Sequence, residues 1–349
     1  MSASTAKQGF PLIQALRACA AFAVAITHIM HDALQLSPGN ALLQHFYAAM
    51  PWTAGVDVFF VISGFVIAHS SRGLFARPHA ARLFLARRLA RIVPLYWAVT
   101  ALFLLEFLTL PGAIHGTIGG PAYVLKSFAF IPAVRPDGVV QPPLGLGWTL
   151  NYEMFFYAVF APFLVLRRRV AVPAAVFCLA AFVLAGAFIG FPGIVLPFWS
   201  NPIILEFCAG MLLAFLPGRL TLPVALRVLL TLAALLALHL HFHEGPERFY
   251  AWGLPAIALV LAASTGRPVS RLPSLELWLV RLGDASYALY LIHPFVMRGV
   301  TMFWHHVHAS ALLYAALCLV LAQAMALAVH HYGERPVTKW VRARLEPRA

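Results

Sequence analysis

Ten apolar segments, each about as long as a bilayer is thick, dominate the sequence and limit what it can fold into. Of the 349 residues, 62% are hydrophobic and only 11% are charged, whereas a soluble domain has about 25% charged residues. Such a chain cannot cover a globular surface with polar groups, so we predict an all-α integral membrane protein. The segments are 12–32, 51–70, 92–110, 147–166, 172–190, 198–216, 222–240, 249–264, 282–302 and 310–332.

The positive charges favour one side of this predicted bundle. With the N-terminus in the cytoplasm, the cytoplasmic segments collect 21 of the 25 Lys and Arg residues. The outer side holds Lys126, Arg135, Arg248 and Arg298. This positive-inside pattern predicts about ten transmembrane helices with both termini cytoplasmic. It also accounts for the net charge of +13 without nucleic acid as a partner, which would need a basic face on a soluble fold.

The whole chain, 1–349, is expected to be a single membrane domain without an appended soluble domain. A removable signal peptide is an alternative for the short, Ala-rich stretch 18–30, but later spans need a neighbour there for their polar groups.

The apolar stretch 123–131 is too short to cross and is expected to be re-entrant or interfacial. The basic stretch 80–91 has helical periodicity and is expected to lie at the inner surface before the third span.

Arg17 and His28 share the first apolar segment. Eleven residues are close to three helical turns, so both side chains point within about 20° of each other, about 16 Å apart along the axis. In a bilayer, Arg17 would lie near one water face and His28 deep in hydrocarbon. Ionisable groups at such depth are costly and tend to line a pathway or a reaction site.

Arg88 and Arg91 lie three positions apart, on one face of a helix. Guanidinium groups match the geometry of phosphate oxygens, so this pair could hold a phosphorylated cofactor at the inner surface. Ordinary anchoring by positive charge at the cytoplasmic side is the alternative.

Two carboxylates open apolar segments near the predicted outer surface. Asp57 lies in Gly55-Val-Asp-Val-Phe-Phe-Val-Ile-Ser-Gly-Phe65, at a depth that His28 could share, and could orient that imidazole as a base. It could equally cap its helix. Glu153, in Trp148-Thr-Leu-Asn-Tyr-Glu153, would lie about 9 Å inside the boundary. Its depth favours a functional role, with a structural partnership to an arginine or tyrosine as the alternative.

His293 falls near the middle of the ninth segment, next to Pro294 and one turn after Tyr290. A membrane histidine can serve chemistry or simply bond a neighbouring helix. Two other groups of histidines could in principle bind a metal, but alternation at two residues does not place ligands on one helix face, and no metal is expected. These groups are His239, His241 and His243, and His305, His306 and His308.

Taken in order, these segments resemble the acyltransferase-3 family of integral-membrane O-acyltransferases, in particular its exopolysaccharide-modifying bacterial members. The matching pieces are Leu16-Arg17 with His28, Gly55 to Phe65, Arg88-Leu-Ala-Arg91-Ile-Val-Pro-Leu-Tyr96, Trp148 to Glu153, Glu206-Phe-Cys-Ala-Gly210 and Tyr287-Ala-Leu-Tyr-Leu-Ile-His293-Pro294. Each piece alone is weak, but the ordered set covers nearly the whole chain.

The resemblance implies a ten-helix bundle in the bacterial inner membrane, in contact with membrane lipid. It implies an acyl-CoA donor, such as acetyl-CoA, on the cytosolic side and a carbohydrate acceptor reached from outside. Arg17 with His28 matches the family's Arg-x10-His element, and Arg88 with Arg91 matches its Arg-x-x-Arg element. The acceptor would be a polysaccharide or a lipid-linked sugar.

On this basis His28 is the predicted general base, oriented by Asp57 or Glu153. An acyl-histidine intermediate stays open as a variant. His293 and Tyr290 are the candidates for donating to the developing oxyanion. Arg17, Arg88 and Arg91 are the predicted ligands of the donor's phosphates. A transporter or flippase of a lipid-linked sugar is the alternative function, because such proteins also bury ionisable residues along a route.

Overall fold

The computed structural model describes residues 10–110, 118–216, 220–241, 247–266, 273–304 and 309–346. Within these ranges the chain forms fifteen α-helices and no β-strand. The helices are α1 Pro11–Leu36, α2 Ala41–Ala48, α3 Gly55–Ser70, α4 Ala80–Thr109, α5 Pro121–Phe128, α6 Trp148–Phe163, α7 Arg168–Ile189, α8 Val195–Trp199, α9 Ile204–Leu213, α10 Val224–Leu240, α11 Leu254–Ser264, α12 Pro273–Asp284, α13 Ser286–Trp304, α14 Ala311–Val329 and α15 Arg335–Leu345. Two π-helical turns, Phe249–Gly253 and His330–Glu334, lead into α11 and α15.

Six helical stretches of the described chain are long and apolar enough to cross a membrane, so the predicted all-α membrane architecture is confirmed. They are Pro11–Leu36, Ala41–Ser70, Ala80–Thr109, Arg168–Ile189, Val195–Leu213 and Ala311–Leu345. Two shorter apolar helices, Val224–Leu240 and Phe249–Ser264, accompany them. Each of the ten predicted segments contains a helix. The number of crossings and the side of the termini stay predictions.

Local sequence explains where several helices begin. Pro11 occupies the first turn of α1, where its missing N–H is not needed. Asn40 caps α2 by accepting the Leu43 N–H at 3.1 Å, and Ser310 caps α14 by accepting the Leu313 N–H at 3.3 Å. These polar residues interrupt the apolar stretches and thereby set the helix boundaries.

The basic stretch 80–91 is not a separate surface helix, contrary to expectation. It forms the first three turns of α4, which continues through Pro94 to Thr109. A helix of 30 residues is about 45 Å long, whereas the hydrocarbon core is about 30 Å thick. The charged turns can therefore extend beyond the apolar region as part of the same helix. The stretch 123–131 contains α5, which has eight residues and is too short to cross.

The backbones of α3 and α9 approach so closely that only glycine fits at the crossing. A Cβ on Gly64 would lie 2.0 Å from the Phe207 carbonyl oxygen, and a Cβ on Gly210 would lie 2.0 Å from the Val61 carbonyl oxygen. Small residues allow this approach between membrane helices, where dispersion contacts drive packing. The crossing fixes α3, which carries Asp57, in the centre of the protein.

We predict that Gly210→Val destabilises the protein, because the new side chain must push the Val61 backbone away. Overpacking of this kind lowers the free energy of unfolding by about 1–3 kcal/mol. Gly299→Val is the matched control, since a Cβ on Gly299 meets nothing within 4 Å. The measurement is thermal unfolding of the detergent-solubilised proteins. Equal melting temperatures for the two variants would contradict the assigned role of the crossing.

A buried ion pair joins the start of α3 to the segment before α11. The Asp57 carboxylate accepts from Nε of Arg248 at 3.0 Å and from its Nη2 at 2.8 Å. The Asp57 side chain is fully buried and that of Arg248 is 14% exposed. Arg248 also lies 4.8 Å above the Trp252 ring, a cation–π contact. Asp57 therefore neutralises a cation and does not act as a helix cap.

We predict that Arg248→Gln lowers the free energy of unfolding by about 3–5 kcal/mol, because it leaves the Asp57 carboxylate buried without its counter-ion. Adding Asp57→Asn should recover part of that loss, since the double variant buries no charge at this pair. Thermal unfolding of Arg248→Gln, of Asp57→Asn and of the double variant beside the parent tests this. A double variant that is as unstable as the sum of the two single changes would contradict the pairing.

Candidate active site

A cavity between α1, α3, α4, α6 and α13 collects most of the predicted site residues. It encloses about 810 Å³ of space, its open mouth included. Its polar lining consists of Arg17, Ser63, Arg88, Arg91, Thr149, Glu153, Tyr157, Ser286, Tyr287 and Tyr290. Sequence positions up to 273 residues apart, from α1 to α13, therefore meet at one place.

Three guanidinium groups border this cavity. Arg17 donates to the Gln14 side-chain oxygen at 2.9 Å, and Arg88 donates to the Ser70 hydroxyl at 2.5 Å. Arg91 borders the cavity from the same helix as Arg88. Within the described residues, no carboxylate lies within ion-pair distance of any of the three. The structure thus brings together the three predicted phosphate ligands and leaves their charge available to an anion.

Three of the four predicted outer cations are arranged differently, because each of them bonds a carboxylate. Arg248 bonds Asp57, and Arg298 bonds Glu106 at 2.7 Å. In the loop before α6, a hydrogen bond from Arg135 lowers the pKa of Asp137 below its ordinary value. The cations around the cavity are therefore distinguished by what surrounds them and not by residue type.

Glu153 lines the same cavity as the three arginines. It accepts a hydrogen bond from the Ser63 hydroxyl at 2.7 Å and another from the Tyr157 hydroxyl. Arg17 and Arg88 are within its electrostatic range. Glu153 partly balances the arginine charge and fixes two hydroxyl groups in the cavity wall.

Tyr290 lines the cavity, but its hydroxyl is bonded within the protein. It lies 2.9 Å from the Leu146 carbonyl oxygen and 2.9 Å from the Thr149 hydroxyl. A carbonyl oxygen only accepts, so the Tyr290 proton is directed to it. In this arrangement Tyr290 holds α13 against α6 and does not point a free donor at a ligand.

His28 and His293 form a pair that neither residue's local sequence predicts. Nδ1 of His28 lies 2.9 Å from the Val24 carbonyl oxygen and 3.3 Å from Nε2 of His293. Nδ1 of His293 lies 3.0 Å from the Leu289 carbonyl oxygen. The rings are 5.1 Å apart.

The carbonyl partners assign the tautomers of this pair. Because each Nδ1 faces a carbonyl oxygen, each neutral ring carries its proton on Nδ1. Nε2 of His293 is then an acceptor for the shared His28 proton, and Nε2 of His28 is left as a basic nitrogen. His293 therefore orients His28 in the way that a hydrogen-bond acceptor orients a catalytic histidine.

Among the described hydrogen bonds, neither Asp57 nor Glu153 contacts His28, so its orientation by either carboxylate stays a prediction. Asp57 is bound by Arg248, and Glu153 by Ser63 and Tyr157. His28 instead has Asp32, one turn further along α1, within electrostatic range. A buried carboxylate bonds the cation or donor that lies nearest in three dimensions. Spacing along the sequence does not indicate which group that is.

The histidine pair does not line the cavity. Its place follows from α13, where His293 comes three residues after the cavity-lining Tyr290, about 4.5 Å further along the axis. The structure thus separates an arginine-lined chamber from the two imidazoles by one helical turn.

Ser63, Tyr157 and Tyr287 line the cavity but were not among the predicted site residues. Tyr157 lies four positions after Glu153, and helical spacing alone would have put both side chains on one face. Ser63 follows Asp57 within the same quoted segment. Tyr287 donates to the Ile92 carbonyl oxygen at 2.9 Å, a contact between α13 and α4 that no local pattern predicts.

Within the described residues there is no group of three metal-ligating side chains. Of the histidines weighed above, His239 bonds the Ala49 carbonyl oxygen at 2.8 Å and His241 bonds Ala237 at 2.9 Å. His243, His305, His306 and His308 lie outside the described residues.

Comparison with known proteins agrees with the resemblance seen in the sequence. The acyltransferase-3 family model, described as an acyltransferase domain, matches residues 11–330. The exopolysaccharide production protein ExoZ of Rhizobium meliloti (strain 1021) is 35% identical over 302 residues, which cover 83% of this chain and 91% of that protein. The acyltransferase MdmB of Streptomyces mycarofaciens is 28% identical over 355 residues, covering 89% of this chain and 87% of that protein.

The comparison with solved structures finds no significant match. The family match extends over nearly the whole chain, and the relatives are matched along most of their length. The protein belongs to the acyltransferase-3 family and is a membrane O-acyltransferase.

Proposed function

We propose that this enzyme transfers an acetyl group from cytosolic acetyl-CoA to a hydroxyl of an extracytoplasmic or lipid-linked carbohydrate at the bacterial inner membrane. The observation that carries the proposal is the set of three guanidinium groups that border one cavity and, among the residues the structure describes, have no carboxylate within ion-pair distance. Such groups suit the phosphates of a coenzyme A donor. The carbohydrate acceptor is supported by the relative whose name is exopolysaccharide production protein.

The positive-inside pattern supports the direction of the reaction. Arg17, Arg88 and Arg91 belong to the cytoplasmic side of the predicted topology. The donor would enter there and extend its thioester arm past Glu153 toward Tyr290. The acceptor would approach the histidine pair from the opposite side, so the two substrates would meet within the bundle.

In this proposal His28 is the general base. Its Nε2 removes the proton of the acceptor hydroxyl as that oxygen bonds the thioester carbonyl carbon. The carbon–sulfur bond breaks, and His28 returns the proton to the departing sulfur. His293 accepts the Nδ1 proton of His28 throughout and keeps the ring in the productive orientation. The products are the acetyl ester and the free thiol, and no redox step is involved.

We predict that His28→Ala lowers acetyl transfer at least about 100-fold, because a positioned general base contributes that much or more to the rate. Donor binding should persist, since His28 does not line the arginine cavity. Transfer of radiolabelled acetyl to surface glycan and donor binding to the purified protein are the two measurements. His31→Ala, at an exposed position of the same helix, is the matched control.

Full transfer by His28→Ala would reject the base assignment. Movement of a lipid-linked sugar by the parent protein without loss of the thioester would reject the transfer reaction and identify a transporter.

We predict that replacing Arg88 and Arg91 together by Gln weakens donor binding by roughly tenfold or more, because two charge-assisted contacts to phosphate are lost. The Michaelis constant for acetyl-CoA should rise while the acceptor constant stays close to the parent value. Arg82→Gln, on the same helix but outside the cavity lining, is the control. Unchanged donor affinity in the double variant would remove these residues from the donor site.

A further inference from the structure

A second cavity adjoins the arginine cavity on its side facing the N-terminus of α1. It encloses about 510 Å³ of space, its opening included, and is lined by Phe10, Ile13, Gln14, Arg17, Phe65, Val66, His69, Ser70 and Arg91. Arg17, Val66 and Arg91 line both cavities. Two guanidinium groups therefore stand at the boundary between the two spaces.

The wall of this second cavity is aromatic. The Phe10 ring lies 4.7 Å from the His69 ring and 5.1 Å from the Phe65 ring, edge to face in both cases. Phe65 and His69 are stacked at 5.8 Å. Phe65 is fully buried, so Phe10 and His69 are the rings that can present a surface to a ligand. Aromatic surfaces of this kind bind nucleobases by stacking.

His69, one of the lining residues, has a polar atom without a partner among the described residues. Nδ1 of His69 is buried, and within the described residues it makes no hydrogen bond. Buried polar atoms are nearly always hydrogen-bonded, so such an atom indicates a missing partner. A nucleobase carries both ring nitrogens and amino groups, and either can bond an imidazole nitrogen.

We propose that this second cavity binds the adenine nucleotide end of the acyl-CoA donor. The inference rests on the proposed function and extends it to a new site. An acyl-CoA consists, in order, of an adenosine phosphate, a pyrophosphate and an arm that ends in the thioester. The structure presents, in the same order, the aromatic cavity, the boundary residues Arg17 and Arg91, and the chamber that contains Glu153 and Tyr290. A simple phosphate would need the arginines alone, whereas the aromatic wall and the unpartnered His69 nitrogen fit a base.

The test compares two donors on the full-length enzyme in detergent. Acetyl-CoA carries the nucleotide, and S-acetyl-pantetheine has the same thioester arm without it. In the parent enzyme, acetyl-CoA should have the lower KM. Phe10→Ala and His69→Phe should each raise the KM for acetyl-CoA roughly tenfold, the size expected for loss of one base contact. Both variants should leave kcat/KM for S-acetyl-pantetheine unchanged, which also shows that they are folded.

Phe188→Ala is the matched control, since Phe188 is 86% exposed on α7 and lines neither cavity. Competition by adenosine 3′,5′-bisphosphate and by inorganic pyrophosphate distinguishes base recognition from phosphate binding. The nucleotide should compete at least tenfold more strongly in the parent, and this advantage should disappear in Phe10→Ala.

If Phe10→Ala and His69→Phe lower kcat/KM equally for both donors, or for neither donor, the nucleotide pocket is overturned. Equal competition by the two inhibitors in the parent would also overturn it, leaving phosphate binding alone. A parent enzyme that uses S-acetyl-pantetheine as well as acetyl-CoA would overturn the pocket but keep the proposed function. A parent that uses neither donor would overturn the proposed function itself, and the pocket with it.

Discussion

The close contact between α3 and α9 holds in place the helix that contributes to the buried ion pair and to both cavities. Gly64 and Gly210 let the two backbones meet, and α3 is thereby held in the centre of the bundle. That helix contributes Asp57 to the buried ion pair, Ser63 to the arginine cavity and His69 to the aromatic one. In a membrane such packing must come from shape, because lipid is as apolar as the helix surface.

The arginines of this protein differ in whether a carboxylate lies within ion-pair distance. Three of the four cations of the predicted outer side bond carboxylates, as Arg298 does with Glu106. Arg17, Arg88 and Arg91 bond neutral groups or none within the described residues. An isolated buried charge is unfavourable, so a cluster of this kind is stable when open to water or to an anionic ligand. The fold thereby keeps three cations along the wall of one cavity.

The histidine pair and the arginine cavity are separate, and this separation suits a reaction whose substrates come from opposite sides. His28 has its basic nitrogen assigned by its contacts with Val24 and His293, independently of the donor chamber. Tyr290, one turn before His293, connects the two through α13. In the proposed reaction the donor phosphates would stay at the arginines, while the thioester end would have to reach His28, where the acceptor hydroxyl loses its proton.

The sequence by itself determined the membrane class, the positions of the apolar helices and the family, because hydrophobic length and ordered motifs are local properties. It also placed Arg88 and Arg91 on one face through helical spacing. Only the tertiary structure decided the partners of the buried ionisable groups: Asp57 bonds Arg248, Glu153 bonds Ser63 and Tyr157, and His28 bonds His293. Those partners lie up to 265 positions apart, and residues of α1, α3 and α4 come together to line both cavities. A buried polar group needs a hydrogen-bond partner or a counter-ion, because it has lost its contact with water. Helix packing, and not distance along the sequence, decides which partner is near.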